Sequence, residues 1–176
     1  LLRDALHARE FIEIEPTTMV RSPGMELHLD AFEIKDVPHR RYLHTSPEYG
    51  LKKTLALGLE RIFSITPSYR KEPLSPTHRP EFTLLEWYAQ GLDLFELMDQ
   101  TEAVLKDVWN ALKTNTAHID SLVDFSRPFL RITTQECFLR YTGLDPWTCQ
   151  DGKALQQKAH ERNLRVSSAT GDWDEI

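Results

Sequence analysis

The alternation of hydrophobic and polar positions predicts that the chain begins with a short helix followed by a strand. Leu2, Ala5 and Leu6 recur at helical spacing, and the stretch FIEIE at 11–15 alternates apolar and acidic residues as a half-buried strand does. A loop is predicted to follow over 17–27, and a second strand, HLDAFEI, over 28–34.

Helical periodicity dominates most of the remaining chain. Residues 50–62 are predicted to form a helix with one apolar face and with its lysines in solvent. Asp93 and Glu96 form a capping-box pair before a long run of apolar positions at helical spacing, which predicts a helix with Met98 and Trp109 in the core. The apolar positions of the two helices are Leu51, Leu55, Leu59 and Ile62, then Leu94, Leu97, Met98, Thr101, Val104, Leu105, Val108 and Leu112.

The last quarter of the chain contains two further helix signals. Thr133 and Glu136 repeat the capping pattern, and Gly143 is a suitable stop for that helix. A final helix is predicted over 153–162, and the polar, acidic tail at 167–176 is predicted to be loosely held.

A hairpin with a long connection is the most informative prediction. Residues 63–70 and 81–90 read as two strands, and the ten residues between them exceed the usual connection of about 4 to 6 residues. Four basic side chains crowd this turn although the chain has a net charge of −6: Arg70, Lys71, His78 and Arg79. The length and the charge together predict a local binding site for an anion.

Strand alternation places chemically distinct side chains on one face of this hairpin. Phe82, Glu86 and Tyr88 share a face of the second strand, and Arg70 shares a face with the polar residues of the first strand, Ser64, Thr66 and Ser68. An aromatic ring, a guanidinium and a carboxylate with a phenol suit a nucleotide together with an amino acid. The alternative is a cross-strand ion pair between Arg70 and Glu86, worth about 0 to 1 kcal/mol if exposed.

Composition narrows the class of protein. The 176 residues suffice for one domain with a core, and there is no glycine-rich phosphate loop, so phosphate binding must use side chains. The spacing of Cys137 and Cys149 matches no zinc pattern and favours reduced thiols.

No stretch approaches the run of about 18 apolar residues that a membrane span needs, so we expect a cytoplasmic protein that does not associate with membranes.

Several motifs resemble one enzyme family. SYRKE at 68–72 with PEFTLLEWY at 80–88 resembles motif 2 of the class II aminoacyl-tRNA synthetases of the lysine type, and EFIEIEPTTM at 10–19 resembles motif 1. TSPEYGLKKTLALGLERIF at 45–63 is similar to the segment between them. The resemblance covers about residues 1 to 150. TSPEY, EWY and FLRYTGLDP favour the elongation factor P (R)-β-lysine ligases within this group.

The resemblance implies an α+β fold, an incomplete class II catalytic core with a mainly antiparallel sheet flanked by helices. Residues 1–176 would form the N-terminal portion of the catalytic domain, with motif 1 at about 10–25 and motif 2 at about 63–90. The Gly-x-Gly-x-Gly-x-x-Arg pattern of motif 3 does not occur in the chain. We therefore expect a portion of a longer enzyme, inactive by itself, that forms a homodimer through motif 1.

The resemblance also implies a role for seven residues. Arg70 would be the catalytic residue that binds the α-phosphate of ATP, and Phe82 would stack on adenine. Glu48 would bind the α-amino group of the amino acid, and Glu86 with Tyr88 would bind the distal ammonium. The nucleotide-binding set is Arg70, Glu72, His78 and Phe82, and the amino-acid-binding set is Glu48, Glu86 and Tyr88. ATP and Mg²⁺ are the implied cofactors, with no metal ligand in this chain.

The implied reaction activates lysine or (R)-β-lysine as an aminoacyl-adenylate and transfers it to a lysine of elongation factor P. A lysyl-tRNA synthetase core, with tRNA as acceptor, is the alternative, and a non-catalytic synthetase-like binding module is an alternative of another class. The motifs depart from the family at Lys71 and Arg79, where asparagine is usual, and at Pro16–Thr17, where the order is reversed.

Overall fold

The computed structural model describes residues 1–24, 26, 29–35, 37–115, 124–164 and 166. The chain divides into two compact units, Leu1–Arg127 and Pro128–Ile176. The predicted loose tail at 167–176 lies outside the described residues. The elements of the first unit are α1 (Leu2–His7), β1 (Ile12–Glu13), β2 (Met19–Val20), β3 (Glu33–Ile34), β4 (Arg41–Leu43), α2 (Glu48–Ala56), β5 (Arg61–Tyr69), β6 (Glu81–Ala89) and α3 (Leu94–Asn115).

The predicted hairpin is confirmed and forms the larger part of the first sheet. The strand order is β1-β5-β6, with β1 parallel to β5 and β6 antiparallel to β5. Ser64 lies opposite Glu86 and Ser68 opposite Phe82, so alternate residues of both strands share a face as the sequence predicted. The fold is therefore α+β with a mixed, mainly antiparallel arrangement of strands, as expected.

A second sheet was missed by the sequence analysis. Its strands run in the order β2-β4-β3, all antiparallel. The prediction of a loop over 17–27 is wrong at β2. Of the described residues in the predicted strand 28–34, only the last two, which form β3, are in a strand. Each strand of this sheet has only two or three residues. Such lengths are too short for hydrophobic alternation to be recognised.

Two predicted elements have the wrong extent. The helix predicted over 50–62 is α2, which runs from Glu48 to Ala56, and Gly58 follows it with φ +99. A left-handed residue of this kind ends a helix, and Ile62 consequently lies in β5. The strand predicted over 11–15 is reduced to β1, and its Ile12 is 51% exposed. Ile12 is therefore exposed, although Phe11 at the start of the stretch is buried and Ile14 is half-buried.

The core of the first unit lies against one face of the hairpin. Phe63 of β5 is fully buried with Leu6 of α1, Phe11 and Val104 of α3. Ile65, Leu85 and Trp87 pack partly buried against this cluster. Burying a side chain such as Phe63 contributes about 1.5–3 kcal/mol, so this face stabilises the hairpin by hydrophobic burial.

Helix α3 begins as predicted, but its first half is more exposed than predicted. The backbone N–H of Asp93 donates to Glu96 Oε2 and the N–H of Glu96 donates to Asp93 Oδ1, both at 2.8 Å. Met98 is 38% exposed, so its predicted place in the core is wrong. Trp109 is half-buried and stacks on Phe125, with ring centroids 4.9 Å apart.

The second unit is helical. It contains α4 (Thr134–Thr142), a 3₁₀ turn at Pro146–Thr148 and α5 (Gly152–Glu161). The predicted capping box is confirmed, since Thr133 and Glu136 bond reciprocally and Gly143 ends α4 with φ 68. No helix in the described part of the chain is long and apolar enough to cross a membrane.

Candidate functional site

The face of the hairpin opposite the core is lined by buried hydroxyl groups. Ser64, Thr66 and Ser68 are 1%, 7% and 0% exposed. Among the described residues, the hydroxyls of Ser64 and Ser68 have no hydrogen-bond partner. A buried, unpaired polar group costs about 1–3 kcal/mol, so a polar surface at this position requires a reason other than stability.

Glu86 lies in the middle of this polar face and is held by two hydroxyl donors. Ser46 Oγ donates to Glu86 Oε1 at 2.6 Å, and the Tyr88 hydroxyl donates to Glu86 Oε2 at 2.8 Å. Burial, the hydrogen bond to Glu86 and the charges of Glu86 and Glu48 raise the pKa of Tyr88 well above its usual value. The phenol therefore stays protonated and keeps its proton directed at Glu86.

Glu48 brings a second carboxylate to the same region. It is the first residue of α2, and its backbone N–H donates to Ser46 Oγ at 3.1 Å. Lys52, one turn later, contacts Glu48 Oε1. The pKa of Lys52 is raised mainly by Glu48, and Glu86 also contributes to the increase. Ser46 thus links the start of α2 to Glu86 and brings two carboxylates to the same region of the polar face, which suits a ligand that carries ammonium groups.

Arg70 and Phe82 come together at the end of the hairpin. The guanidinium carbon of Arg70 lies 5.1 Å from the centroid of the Phe82 ring, and Arg70 Nε donates to the carbonyl oxygen of Thr45 at 3.4 Å. The backbone N–H of Arg70 donates to the carbonyl oxygen of Pro80 at 2.9 Å and closes the base of the loop. A cation over an aromatic ring is a favourable contact worth about 0.5–1 kcal/mol when exposed.

The alternative of an ion pair between Arg70 and Glu86 is wrong. Glu86 faces Ser64 across the hairpin and bonds to Ser46 and Tyr88, whereas Arg70 lies over Phe82. The guanidinium and the carboxylate therefore lie at different points along the hairpin. They form two ends of one polar face.

The other two predicted nucleotide residues make contacts inside the loop. His78 Nε2 lies 3.9 Å from Glu72 Oε2, a long ion-pair distance. His78 Nδ1 lies 2.8 Å from Ser75 Oγ and 3.0 Å from Thr77 Oγ1. The loop is folded on itself, and the side chain of His78 is 58% exposed.

Two residues at this site were not singled out by the sequence analysis. Ser46 joins the segment before α2 to β6 through Glu86, and Lys52, predicted to face solvent, contacts Glu48. A Ser-Pro-Glu stretch at a helix start was the available signal for Ser46. The described residues contain no group of three or more His, Cys, Asp or Glu that could hold a metal ion.

Comparison with known proteins identifies the family. A sequence model of the class II tRNA synthetases for Asp, Lys and Asn matches residues 1–167. The chain is 32% identical over 183 residues to a lysine–tRNA ligase of Magnetococcus marinus, which covers 99% of this chain and 35% of that protein. It is 30% identical over 180 residues to a lysine–tRNA ligase of Psychromonas ingrahamii, covering 97% of this chain and 34% of the relative.

A relative of another kind has similar identity. An elongation factor P (R)-β-lysine ligase of Pseudoalteromonas translucida is 31% identical over 169 residues, covering 93% of this chain and 47% of that protein. The chain belongs to the class II tRNA synthetase family for Asp, Lys and Asn, and these relatives are ligases of that type. The chain spans about a third of the lysine–tRNA ligases and about half of the elongation factor P ligase that it matches.

Proposed function

We propose that this chain is the N-terminal portion of a class II catalytic domain that activates lysine or (R)-β-lysine with ATP and transfers it to a lysine of elongation factor P. The observation that carries the proposal is the carboxylate of Glu86, fixed on a buried polar face by Ser46 and Tyr88 with Glu48 nearby. A site with two carboxylates favours an amino acid with two ammonium groups. Relatives named for lysine and for (R)-β-lysine support the same substrate class.

In the proposed complex each carboxylate takes one ammonium group. Glu48 binds the α-amino group through the oxygen that is not in contact with Lys52, and Glu86 binds the distal ammonium. Tyr88 keeps Glu86 oriented because its raised pKa keeps it a hydrogen-bond donor. Charge-assisted hydrogen bonds of this kind are about twice as strong as neutral ones, so they select a charged side chain.

The nucleotide occupies the other end of the polar face in this proposal. Adenine stacks on Phe82, and Arg70 leaves the ring to bind the α-phosphate, with Glu72 and His78 adding contacts from the loop. Stacking a base on an aromatic ring is worth about 1–3 kcal/mol, more than the cation contact it replaces. ATP binding would thus move Arg70 toward its reacting position.

The chemistry needs no covalent enzyme intermediate. An oxygen of the lysine carboxylate attacks the α-phosphorus, the bond from that phosphorus to the bridging oxygen breaks, and pyrophosphate leaves. Arg70 stabilises the charge that builds on the α-phosphate, and the two carboxylates position the amino acid. Mg²⁺ accompanies ATP in this proposal, and every step above rests on side chains of the described residues.

The acceptor distinguishes the two enzyme hypotheses. In the first, the amine of an elongation factor P lysine attacks the adenylate carbonyl and releases AMP. In the second, supported by the lysine–tRNA ligase relatives, a tRNA hydroxyl attacks the same carbonyl. Homodimer formation through motif 1 and a cytoplasmic location belong to both hypotheses. The non-catalytic binding module is the hypothesis that shares the site without the reaction.

ATP–pyrophosphate exchange tests the proposal directly. The full-length gene product is assayed with α-lysine and with (R)-β-lysine, and this 176-residue chain is assayed beside it. We expect exchange by the full-length protein, stronger with (R)-β-lysine. Stronger exchange with α-lysine would support the tRNA ligase hypothesis. No exchange with either amino acid would contradict the enzyme proposal and support the non-catalytic module.

A further inference from the structure

A cavity of about 730 Å³ lies beside the small second sheet and adjoins the start of the hairpin loop, one residue beyond Arg70. Its lining comes from the three residues after β2, from the segment 29–35, from Arg40 and Tyr42, and from Lys71 at the start of the hairpin loop. None of the seven residues predicted for ATP or amino acid binding lines it. Binding cavities for small molecules span about 300–1,000 Å³, so this one is large enough for a ligand of its own.

The lining of this cavity is more basic than the chain as a whole. It contains four basic residues, Arg21, Lys35, Arg40 and Lys71, against two acidic ones, Asp30 and Glu33, in a chain of net charge −6. Positive charge is thus concentrated in this lining although the chain as a whole is acidic. It is the arrangement expected of an anion site.

One basic residue of the four is already neutralised. Arg40 donates to both carboxylate oxygens of Glu33, at 2.8 and 3.2 Å, and lies 5.5 Å from the centroid of the Tyr42 ring. This ion pair holds the pKa of Glu33 below its usual value. The remaining charges of the lining are three cations and the carboxylate of Asp30.

Arg21 and Lys71 are the cations best placed to bind a ligand. Both are exposed, and neither forms an ion pair among the residues that the structure describes. The backbone N–H of Lys71 donates to the carbonyl oxygen of Asp30 at 2.7 Å, which fixes the start of the hairpin loop beside the cavity. Two cations from distant parts of the sequence therefore line one space.

The geometry points to a second phosphate site: we propose that this cavity binds the oligophosphate group of a small anion. Arg21 and Lys71 are its main contacts, because Arg binds phosphate oxygens bidentately and Lys binds them as a point charge. Lys35 adds charge, and the Ser22 hydroxyl is a neutral donor in the same lining. This site would also give a role to Lys71, one of the positions at which the motif departs from the family pattern.

An adjoining cavity favours a ligand with several phosphates. Arg21 and Ser22 also line a second cavity of about 460 Å³, whose other charged residues are Lys53 and Glu15. A ligand with several phosphates carries enough negative charge for the cations of both cavities.

Calorimetric titration with sodium tripolyphosphate tests this inference. The protein is the full-length gene product carrying Arg70→Ala, so that the proposed nucleotide site does not contribute. We expect binding of one tripolyphosphate per chain, weakened at least tenfold by Arg21→Gln with Lys71→Gln. The matched control, Arg140→Gln with Lys153→Gln, removes the same residue types from outside the cavity and should change the affinity less than twofold.

Comparing the two double variants distinguishes a specific binding site from nonspecific attraction between the anion and surface cations. Equal weakening by the two double variants, or no binding in the Arg70→Ala background, would overturn the inference. Lys35→Gln alone should weaken binding by a smaller factor than the double variant. Titration with ATP identifies the source of the phosphates: equal affinity assigns the site to a free oligophosphate, and tighter ATP binding assigns it to a nucleotide. Either result supports the site.

Discussion

Both faces of the β5–β6 hairpin contain buried residues, but the two faces differ in polarity. Phe63 on one face is 0% exposed and Ser64 on the other is 1% exposed, although they are neighbours in the sequence. The first face packs against α1 and α3, whereas the second presents hydroxyls, a carboxylate and a phenol. Burial alone therefore does not distinguish the core face from the proposed binding face. The two faces differ in the polarity of the side chains that are buried.

The largest effect expected is on activity, from the polar face. Arg70→Ala should lower kcat/KM for ATP–pyrophosphate exchange by about 10²–10³-fold, because it removes a donor to the charge that builds on the α-phosphate. The free energy of unfolding should fall by no more than about 1 kcal/mol, the value of the contact with Phe82, since Arg70 packs against no part of the core cluster. Arg79→Ala, a change of the same type in the loop, should have a much smaller effect. Exchange at the normal rate in Arg70→Ala would refute the site.

Glu86→Gln should mainly weaken binding of the amino acid. Removing one buried charge from a charge-assisted hydrogen bond costs about 1.5–3 kcal/mol, which corresponds to a rise of about 10–150-fold in KM for lysine. The KM for ATP should change little. Glu81→Gln is the control, because Glu81 is exposed on the same strand. A rise in KM for ATP as large as that for lysine would contradict the assignment of Glu86 to the amino acid.

Trp87→Leu should affect stability through the core face. Trp87 packs against the core cluster, and the expected loss in the free energy of unfolding is about 1–3 kcal/mol. The loss is limited because Trp87 Nε1 is buried without a hydrogen-bond partner among the described residues. Trp147→Leu, at a position 56% exposed, is the matched control and should cost less than about 0.5 kcal/mol. KM for lysine should stay the same in both variants.

Tyr88→Phe should change the dependence of stability on alkaline pH. The pKa of Tyr88 is raised in the folded state, so the unfolded state loses this proton first, above about pH 10. The corresponding stability is fully present below that pH and is lost as the pH rises toward the folded-state pKa. Urea titrations between pH 8 and 11 should show a shallower alkaline loss in Tyr88→Phe than in the parent. Tyr141→Phe, at a position 68% exposed, should keep the parent's slope.

Ser64→Ala is expected to have the smallest effect. Its hydroxyl has no partner among the described residues, so its removal should leave the free energy of unfolding unchanged or raise it by up to about 1 kcal/mol. Thr45→Ala is the contrasting variant, because the buried Thr45 hydroxyl donates to the carbonyl oxygen of Pro23 at 3.0 Å. That variant should lose about 1 kcal/mol. A large loss in Ser64→Ala would show that this hydroxyl has a partner.

The elements that sequence alone predicted correctly depend on local interactions. The capping pairs at Asp93 and Thr133, the stop at Gly143 and the alternation of β5 and β6 each involve residues within a few positions of one another. The family resemblance, confirmed by the match over residues 1–167, depends on short contiguous motifs. Local geometry and motif spacing depend on residues that are close together in the sequence, so the sequence by itself was enough to predict them.

Tertiary structure decided what distant segments do together. The second sheet forms from strands of two or three residues that pair with segments distant in the sequence. Ser46 reaches Glu86 across forty positions of sequence, and Arg21 and Lys71 line one cavity from fifty positions apart. The exposure of Ile12 and Met98 depends on what packs beside them. These features follow from the path of the whole chain through space, because a contact between distant residues leaves no periodic signal in either segment.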